Sequence, residues 1–134
     1  MHQRYPPDDP REWLNRARSN LAIAEIEAPG IYLEDLCFNA QQAAEKAIKA
    51  VFIKRQVKFP HSHNIAELLT LLQRIYQPLP DFAEQAAGLT RFAVLDRYPR
   101  MSPSIRHEEY EEALAIARRV IQWAEGIVES QTQA

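Results

Sequence analysis

The sequence predicts an all-α protein, an antiparallel up-and-down bundle of about five helices. The chain of 134 residues contains only three glycines, and its nine prolines fall mainly between segments of helical periodicity. Apolar residues recur at three- and four-residue intervals in these segments, and no segment shows the sustained alternation of a strand. The length suits one compact domain. We therefore expect a single domain over residues 1–134, with a helical core at about 10–128.

The first helix is predicted from its N-terminal signals. Asp9 is a favourable N-cap, and Pro10 suits the first helical position. Pro29 and Gly30 then stop the helix. Its apolar positions are Trp13, Ala17, Leu21 and Ala24.

The second helix has the clearest pattern in the chain. Its apolar stripe is broad and rich in alanine, which indicates a neighbouring helix packed closely against it. The stripe contains Leu36, Ala40, Ala43, Ala44, Ala47, Ile48, Val51 and Phe52. We expect a polar side formed by Gln41, Gln42, Glu45, Lys46 and Lys49, with Glu45 and Lys49 as an i,i+4 ion pair. Cys37 is expected to be a buried small hydrophobe.

Three further helices are predicted. Asn64 or Ser62 caps the third, whose apolar residues are Leu68, Leu69, Leu72 and Ile75. Asp81 begins the fourth, which continues through Phe82, Ala86, Leu89 and Phe92 and as far as Leu95 at most. The fifth begins at about Ile105 and presents Tyr110, Ala113, Leu114, Ala117, Val120, Ile121, Ala124 and Val128.

The compartment is predicted from what the sequence lacks. The polar start "MHQRYPPDDP" does not resemble a secretory segment, and no apolar run approaches the roughly 20 residues that span a bilayer. The single cysteine excludes an internal disulfide framework. We expect a cytoplasmic protein without a membrane partner.

The charges are unevenly distributed. The net charge of −2 does not indicate a nucleic-acid binder. However, residues 46–59 contain five basic residues and no acid, and residues 91–107 contain four arginines and one acid, Asp96. If these two basic segments meet in the fold, their combined field can attract a phosphate.

Three segments of the chain are characteristic in combination: "CFNAQQAAEKAIKAVF", then "HSHNIAELL", then "RYP" at Arg97, Tyr98 and Pro99. Together they resemble the HEPN family (higher eukaryotes and prokaryotes nucleotide-binding domain), and the resemblance spans roughly residues 10–127. It implies a helical bundle, usually a homodimer, often paired with a minimal nucleotidyltransferase. In some such pairs the HEPN protein is an RNase toxin and the transferase its antitoxin. Other members are suspected nucleotide binders.

The "RYP" segment is the main candidate for phosphate binding. Pro99 disfavours the α conformation at Tyr98, so the fourth helix should end there and fix the direction of Arg97. The predicted nucleotide- or phosphate-binding residues are Arg97, Tyr98, Arg100, Lys46 and Lys49. Alternatively, Arg97 pairs with a neighbouring acid, Tyr98 packs in the bundle, and the two lysines only solvate a helix face.

Arg100 and His107 are the candidate catalytic pair. RNase members of the family carry an arginine, four to six residues and then a histidine, and here six residues separate the two. A histidine can transfer protons while an arginine stabilises charge on the phosphate, so such a pair cleaves RNA without metal. Pro103 interrupts the spacing, and Met101 stands where active members often have a polar residue. Alternatively, Arg100 lies in a loop and His107 in the first turn of the last helix.

No metal or cofactor site is expected. His61 and His63 lack a third ligand at suitable spacing, so we expect His63 to be a helix-start residue bonded to backbone. No glycine-rich phosphate loop is present.

Three hypotheses follow from these observations. The first is a nucleotide- or RNA-phosphate-binding module that acts with a minimal nucleotidyltransferase, the second a metal-independent endoribonuclease, and the third a non-catalytic structural partner. The broad apolar stripe of the last helix, with Trp123 beside it, together with the resemblance, also predicts a homodimer. Arg97, alone or with Arg100, is expected to line a cleft near its interface.

Overall fold

The computed structural model describes residues 3–75, 78–94 and 104–130. These contain α1 (Pro10–Ala24), α2 (Leu33–Lys54), α3 (Ile65–Leu72), α4 (Ala83–Ala87), a 3₁₀ helix (Gly88–Val94) and α5 (His107–Val128). Within the described ranges there is no strand. The predicted all-α bundle of about five helices is therefore confirmed. None of the helices described is long and apolar enough to cross a membrane.

The start of α1 follows the prediction. Asp9 is the N-cap, its Oδ1 accepts a hydrogen bond from the Arg11 amide at 2.9 Å, and Pro10 occupies the first turn. The helix ends at Ala24, before Pro29 and Gly30, and Gly30 has a φ of 90° in the connection to α2.

The helix α2 lies at the centre of the bundle, where α1, α3, the 3₁₀ helix and α5 all pack against it. Every residue of its predicted apolar stripe is buried. Five of its alanines are fully buried: Ala40, Ala43, Ala44, Ala47 and Ala50. Ala17 and Ala24 of α1 and Ala117 and Ala124 of α5 are fully buried as well. Small side chains on facing helices let the backbones approach closely, so the predicted close packing is confirmed.

Cys37 of α2 is fully buried. Burial raises the pKa of its thiol to about 12, because the thiolate loses the solvation that would stabilise it. The thiol is therefore unreactive at neutral pH, as expected for a buried small hydrophobe.

The helix α3 begins at the predicted cap. The Asn64 Oδ1 accepts a hydrogen bond from the Glu67 amide at 3.1 Å, and the Ser62 hydroxyl accepts one from the Asn64 amide at 3.0 Å. The helix ends at Leu72, three residues before Ile75. The prediction that this helix contains Ile75 was therefore wrong, and Ile75 is 38% exposed.

The predicted fourth helix is two elements rather than one. The α-helical part stops at Ala87, and a 3₁₀ helix follows from Gly88. Glycine is a poor helix former, and the Thr90 hydroxyl is held from outside by the Ile65 amide at 3.0 Å. The α-helix therefore ends at this glycine, and 3₁₀ turns are frequent at the ends of α-helices. The predicted apolar residues Phe82, Ala86, Leu89 and Phe92 are nevertheless buried.

The helix α5 begins at His107, with Arg106 as its N-cap. The Glu109 carboxylate accepts a hydrogen bond from the Arg106 amide at 3.0 Å, which satisfies a donor that the helix leaves free. The buried Tyr110 hydroxyl donates to the Ala24 carbonyl at 2.6 Å and so joins α5 to the end of α1. Trp123 is half-buried and meets the Phe82 ring edge-on, with centroids 6.2 Å apart.

Candidate functional site

Most of the predicted phosphate-binding segment lies outside the described residues. This applies to Arg97, Tyr98 and Arg100, and also to Met101 and Pro103. The structure does describe the residues on both sides of it, up to position 94 and from position 104. The candidate site is therefore built from these flanks and from the helices that support them.

An arginine stands on each flank, and both contact one carboxylate. The Arg91 Nη1 lies 3.3 Å from the Glu109 Oε2, and the Arg106 Nε lies 3.4 Å from the Glu109 Oε1. The Arg106 amide lowers the pKa of Glu109 by its hydrogen bond, and the two guanidinium groups add to this effect. Two cations thus share one counter-charge at the base of the segment.

Both arginines can donate hydrogen bonds to a further group besides Glu109. Each side chain is exposed, and a guanidinium has five N–H donors. A groove of about 300 Å³ adjoins Arg91, but Glu84, Glu109 and Glu112 line it. Those carboxylates disfavour a phosphate inside the groove, so the candidate anion site is the exposed arginine pair.

His107 is placed among carboxylates. Its Nε2 lies 2.8 Å from the Glu27 Oε2, and its Nδ1 lies 3.0 Å from the Glu111 Oε1. The hydrogen bond to Glu27 raises the pKa of His107, and the charges of Glu27 and Glu111 add to the rise. His107 is the first residue of α5, as the alternative interpretation expected. Because carboxylates engage both ring nitrogens, neither is open to a 2′-hydroxyl in this arrangement.

The two candidate lysines of α2 differ in position. The Lys46 Nζ donates to the Asn20 Oδ1 at 2.7 Å, and partial burial lowers its pKa. Lys49 is only 6% exposed, and its Nζ lies 2.8 Å from the Glu45 Oε2. The predicted ion pair of Glu45 and Lys49 is confirmed. Lys49 is not presented on the surface, so this geometry does not favour its predicted contact with a phosphate.

A buried polar cluster surrounds Glu45, which is 2% exposed. Besides its ion pair with Lys49, the carboxylate accepts hydrogen bonds from the Gln41 Nε2 at 3.1 Å and the Gln42 Nε2 at 3.3 Å. The His63 Nδ1 lies 3.1 Å from one oxygen and 3.2 Å from the other. Gln41, Glu45 and Lys49 of the predicted polar side of α2 are all buried, so this part of the face is covered by protein rather than by solvent.

The role of His63 also differs from the prediction. Its ring contacts the Glu45 carboxylate rather than backbone, while its own carbonyl accepts a hydrogen bond from the Gln41 Nε2 at 3.1 Å. The sequence contained a signal for this cluster, because Gln41, Glu45 and Lys49 recur at four-residue spacing and share one helix face. That the chain near His63 covers this face was not predictable from periodicity.

The comparison with protein families identifies the chain. The sequence profile of the HEPN domain matches residues 10–127. The chain belongs to the HEPN family. The resemblance carried by the three sequence segments is thereby confirmed.

Two solved structures are similar to this HEPN protein. One is ST0689, described as an archaeal HEPN homologue, with 25% identity, a TM-score of 0.70 and coverage of 90% of this chain and 98% of that one. The other is TT1696 from Thermus thermophilus, with 33% identity, a TM-score of 0.71 and coverage of 88% of this chain and 97% of that one. No curated protein matches the chain.

In this HEPN protein, two of the three segments that carried the resemblance meet. The "QQAAEK" part of α2 contacts the "HSHN" part through the bonds of Gln41 and Glu45 to His63. The third segment, "RYP", lies outside the described residues and follows the 3₁₀ helix. Over the ranges 3–75, 78–94 and 104–130, no three His, Cys, Asp or Glu residues are grouped to hold a metal ion.

Proposed function

We propose that this HEPN protein binds the phosphate of a nucleotide or RNA and acts with a minimal nucleotidyltransferase. The observation that carries the proposal is the exposed pair Arg91 and Arg106, which flank the segment that contains Arg97 and Arg100. Residues 91–107 contain four arginines and one acid, Asp96, in the sequence. The two of these arginines that the structure describes, Arg91 and Arg106, share the carboxylate of Glu109. Such an excess of positive charge attracts phosphate.

The chemistry of arginine suits this role. A guanidinium binds two phosphate oxygens at once, with a geometry that lysine cannot reproduce. Arg97, Tyr98 and Arg100 are the proposed ligand-binding residues, and the half-buried Lys46 adds positive charge on α2. The family resemblance supports the transferase partner, a toxin–antitoxin pairing and a two-fold dimer that brings two arginine segments to one cleft.

Binding of a fluorescein-labelled RNA oligomer, followed by anisotropy over a range of salt concentrations, tests the phosphate site. Replacing Arg97 and Arg100 together by alanine removes two proposed phosphate contacts. We expect weaker binding and a salt slope smaller by about 0.7 for each lost contact. The matched control replaces Arg118 and Arg119, two exposed arginines of α5, and should leave the slope unchanged.

Two outcomes would contradict the proposal. One is an absence of binding to any nucleotide or short RNA at low salt, where electrostatic attraction is strongest. The other is an equal salt slope for the two double variants. For the partner, co-purification with a nucleotidyltransferase encoded by the neighbouring gene is the corresponding test.

The endoribonuclease hypothesis has less support. His107 must leave Glu27 or Glu111 before a ring nitrogen can accept a proton from RNA. Incubating RNA in EDTA with the wild type and with His107→Ala separates the two hypotheses. Cleavage by the wild type alone would favour the enzyme. Retained binding without cleavage by either protein would favour the binding module. If replacing Arg97 and Arg100 changes neither binding nor toxicity, the structural-partner hypothesis gains.

A further inference from the structure

His63 is a surface histidine held by a buried carboxylate. Its side chain is 60% exposed, whereas the side chain of Glu45 is 3% exposed. Only the Nδ1 of the ring faces that carboxylate, at 3.1 Å and 3.2 Å from its two oxygens. The Nε2 has no hydrogen-bond partner among the residues that the structure describes.

The carboxylate decides which nitrogen of the neutral ring carries the proton. A carboxylate only accepts hydrogen bonds, so the Nδ1 must donate. The Nε2 then carries a lone pair and accepts a hydrogen bond from a donor. His63 therefore presents an oriented acceptor atom at the surface.

The carboxylate that holds this ring belongs to a buried ion pair, and burying an ion pair costs free energy. Burying the Glu45–Lys49 ion pair removes two charges from water, and replacing such pairs by apolar residues is often neutral or stabilising. The Gln41 amide adds a second fixing point, because it bonds both the Glu45 carboxylate and the His63 carbonyl at 3.1 Å. Ring and backbone of His63 are thus both tied to α2. A residue that contacts a ligand needs its orientation fixed by supporting side chains in this way.

His63 and Arg91 lie at adjoining parts of the bundle, because α3 packs against the 3₁₀ helix that contains Arg91. The Ile65 amide, two residues after His63, donates to the hydroxyl of Thr90, the residue before Arg91, at 3.0 Å. A path of three Cα–Cα steps of about 3.8 Å each and this one hydrogen bond connects His63 with Arg91. A nucleic-acid strand that extends from the arginines toward the start of α3 would bring a sugar to the Nε2 of His63.

We propose that the Nε2 of His63 accepts a hydrogen bond from a ribose 2′-hydroxyl, so that this protein distinguishes RNA from DNA. The inference rests on the proposed function, since it assigns the bound ligand to RNA. The 2′-hydroxyl is the group that differs between the two nucleic acids, and it is a hydrogen-bond donor. A phosphate has no such donor when it is ionised, so the arginines and His63 recognise different parts of one ligand.

The test compares three oligomers of one sequence by fluorescence anisotropy, at a pH where histidine is ordinarily neutral. One is RNA, one is DNA, and one carries 2′-fluoro groups, which keep an RNA-like sugar shape but cannot donate. The wild type should bind RNA about 2- to 10-fold more tightly than the other two, the contribution of one neutral hydrogen bond. In His63→Asn the three affinities should become equal. The matched control, His61→Asn, should retain the preference.

The outcomes separate this inference from the proposed function. Equal binding of RNA and 2′-fluoro RNA by the wild type overturns the role of His63 and leaves phosphate binding intact. An RNA preference that survives in His63→Asn overturns it as well. If neither RNA nor DNA binds at low salt, the proposed function fails and this inference falls with it. The comparison between oligomers needs only the wild type, so a poorly folded variant does not prevent a decision.

Discussion

At the scale of single residues, the buried Glu45–Lys49 pair gives a prediction for stability. Replacing Glu45 by glutamine leaves the buried Lys49 ammonium without its counter-charge. Breaking a buried pair in this way costs about 3–5 kcal/mol, and the near-isosteric Glu45→Gln should lie at the low end. Urea denaturation followed by circular dichroism measures the loss.

Two further variants show whether the loss of stability in Glu45→Gln comes from the unpaired charge. The double variant Glu45→Gln, Lys49→Met removes both charges and should recover much of the stability. Glu125→Gln disrupts the more exposed pair with Arg18 and should cost less than about 1 kcal/mol. If Glu45→Gln cost as little as Glu125→Gln, the buried pair would not stabilise the fold.

His107 gives a prediction of pH dependence. Its hydrogen bond to Glu27 and the nearby charges raise its pKa above 6.5, so the folded protein holds this proton more tightly than the unfolded chain. The resulting stabilisation is fully present below about pH 6.5 and is lost as the pH rises through the higher folded value. Wild type and His107→Gln should therefore differ in thermal stability at about pH 6 and converge by about pH 9.

Arg118 supplies the control for this measurement. Its Nη2 lies 2.6 Å from the Glu25 Oε2, so it too joins α5 to the end of α1. Arginine does not change charge over this pH range. The stability difference between wild type and Arg118→Gln should thus be the same at both pH values. A His107→Gln difference that is also independent of pH would contradict the role assigned to the histidine.

The roles of individual residues were predicted well from the sequence where they depend only on neighbouring positions in the chain. Asp9, Asn64 and Cys37 are examples, because caps and a buried apolar position depend on local pattern. The burial of Lys49 and the contact of His63 with Glu45 were not predicted, for a different reason. Their surroundings depend on residues many positions away that fold over one face of α2, and helical periodicity does not report which polar face is covered.

At the scale of elements, the glycines give a matched pair of predictions. Gly126 is an exposed residue within α5, and a Cβ added there meets nothing within 4 Å. Gly126→Ala should stabilise the protein by about 0.5–1 kcal/mol, because alanine is the better helix former. A Cβ at Gly30 also has open space, but its φ of 90° strains an alanine. Gly30→Ala should therefore destabilise the protein by about 1 kcal/mol.

Chemical denaturation of both variants measures these changes of opposite sign. Equal effects would show that backbone conformation does not distinguish the two positions. Destabilisation by Gly126→Ala would contradict the open, regular helix described at that position.

The fourth predicted helix shows where sequence analysis of elements fails. Its apolar residues reach the core as expected, yet the backbone changes from α to 3₁₀ geometry at Gly88. The hydrogen bond from the Ile65 amide to the Thr90 hydroxyl acts across elements, and a local pattern does not contain it. In contrast, α2 and α5 are long and strongly periodic, so their predicted positions agree with the structure to within two or three residues.

At the scale of the whole molecule, the homodimer remains a prediction. The candidate interface is now a different surface from the α5 stripe that first suggested it. The apolar stripe of α5 is buried within one chain, and Trp123 packs against Phe82. The exposed large apolar residues of the described chain include Ile23, Ile26, Ile31 and Tyr32, all near the connection of α1 to α2, and Tyr32 is 72% exposed. Surfaces of this kind often mark contacts between proteins.

Light scattering should give twice the chain mass of 15.5 kDa at micromolar concentration. If the connection forms the interface, Tyr32→Glu should shift the mass toward one chain, since it places a charge in an apolar contact. The control, Ile75→Glu, alters an exposed isoleucine after α3. A mass of 15.5 kDa for the wild type at all concentrations would refute the dimer.

The alanine-lined contact of α5 with α2 has a consequence for synthesis on the ribosome. The helices α1 and α2 are adjacent in the chain and can pair early, but α5 is translated more than fifty residues after α2 ends. Until then the face of α2 that α5 will cover remains exposed to other apolar surfaces. Nascent chains arrested before residue 107 should therefore depend on chaperones, and release from them should follow the emergence of the last helix.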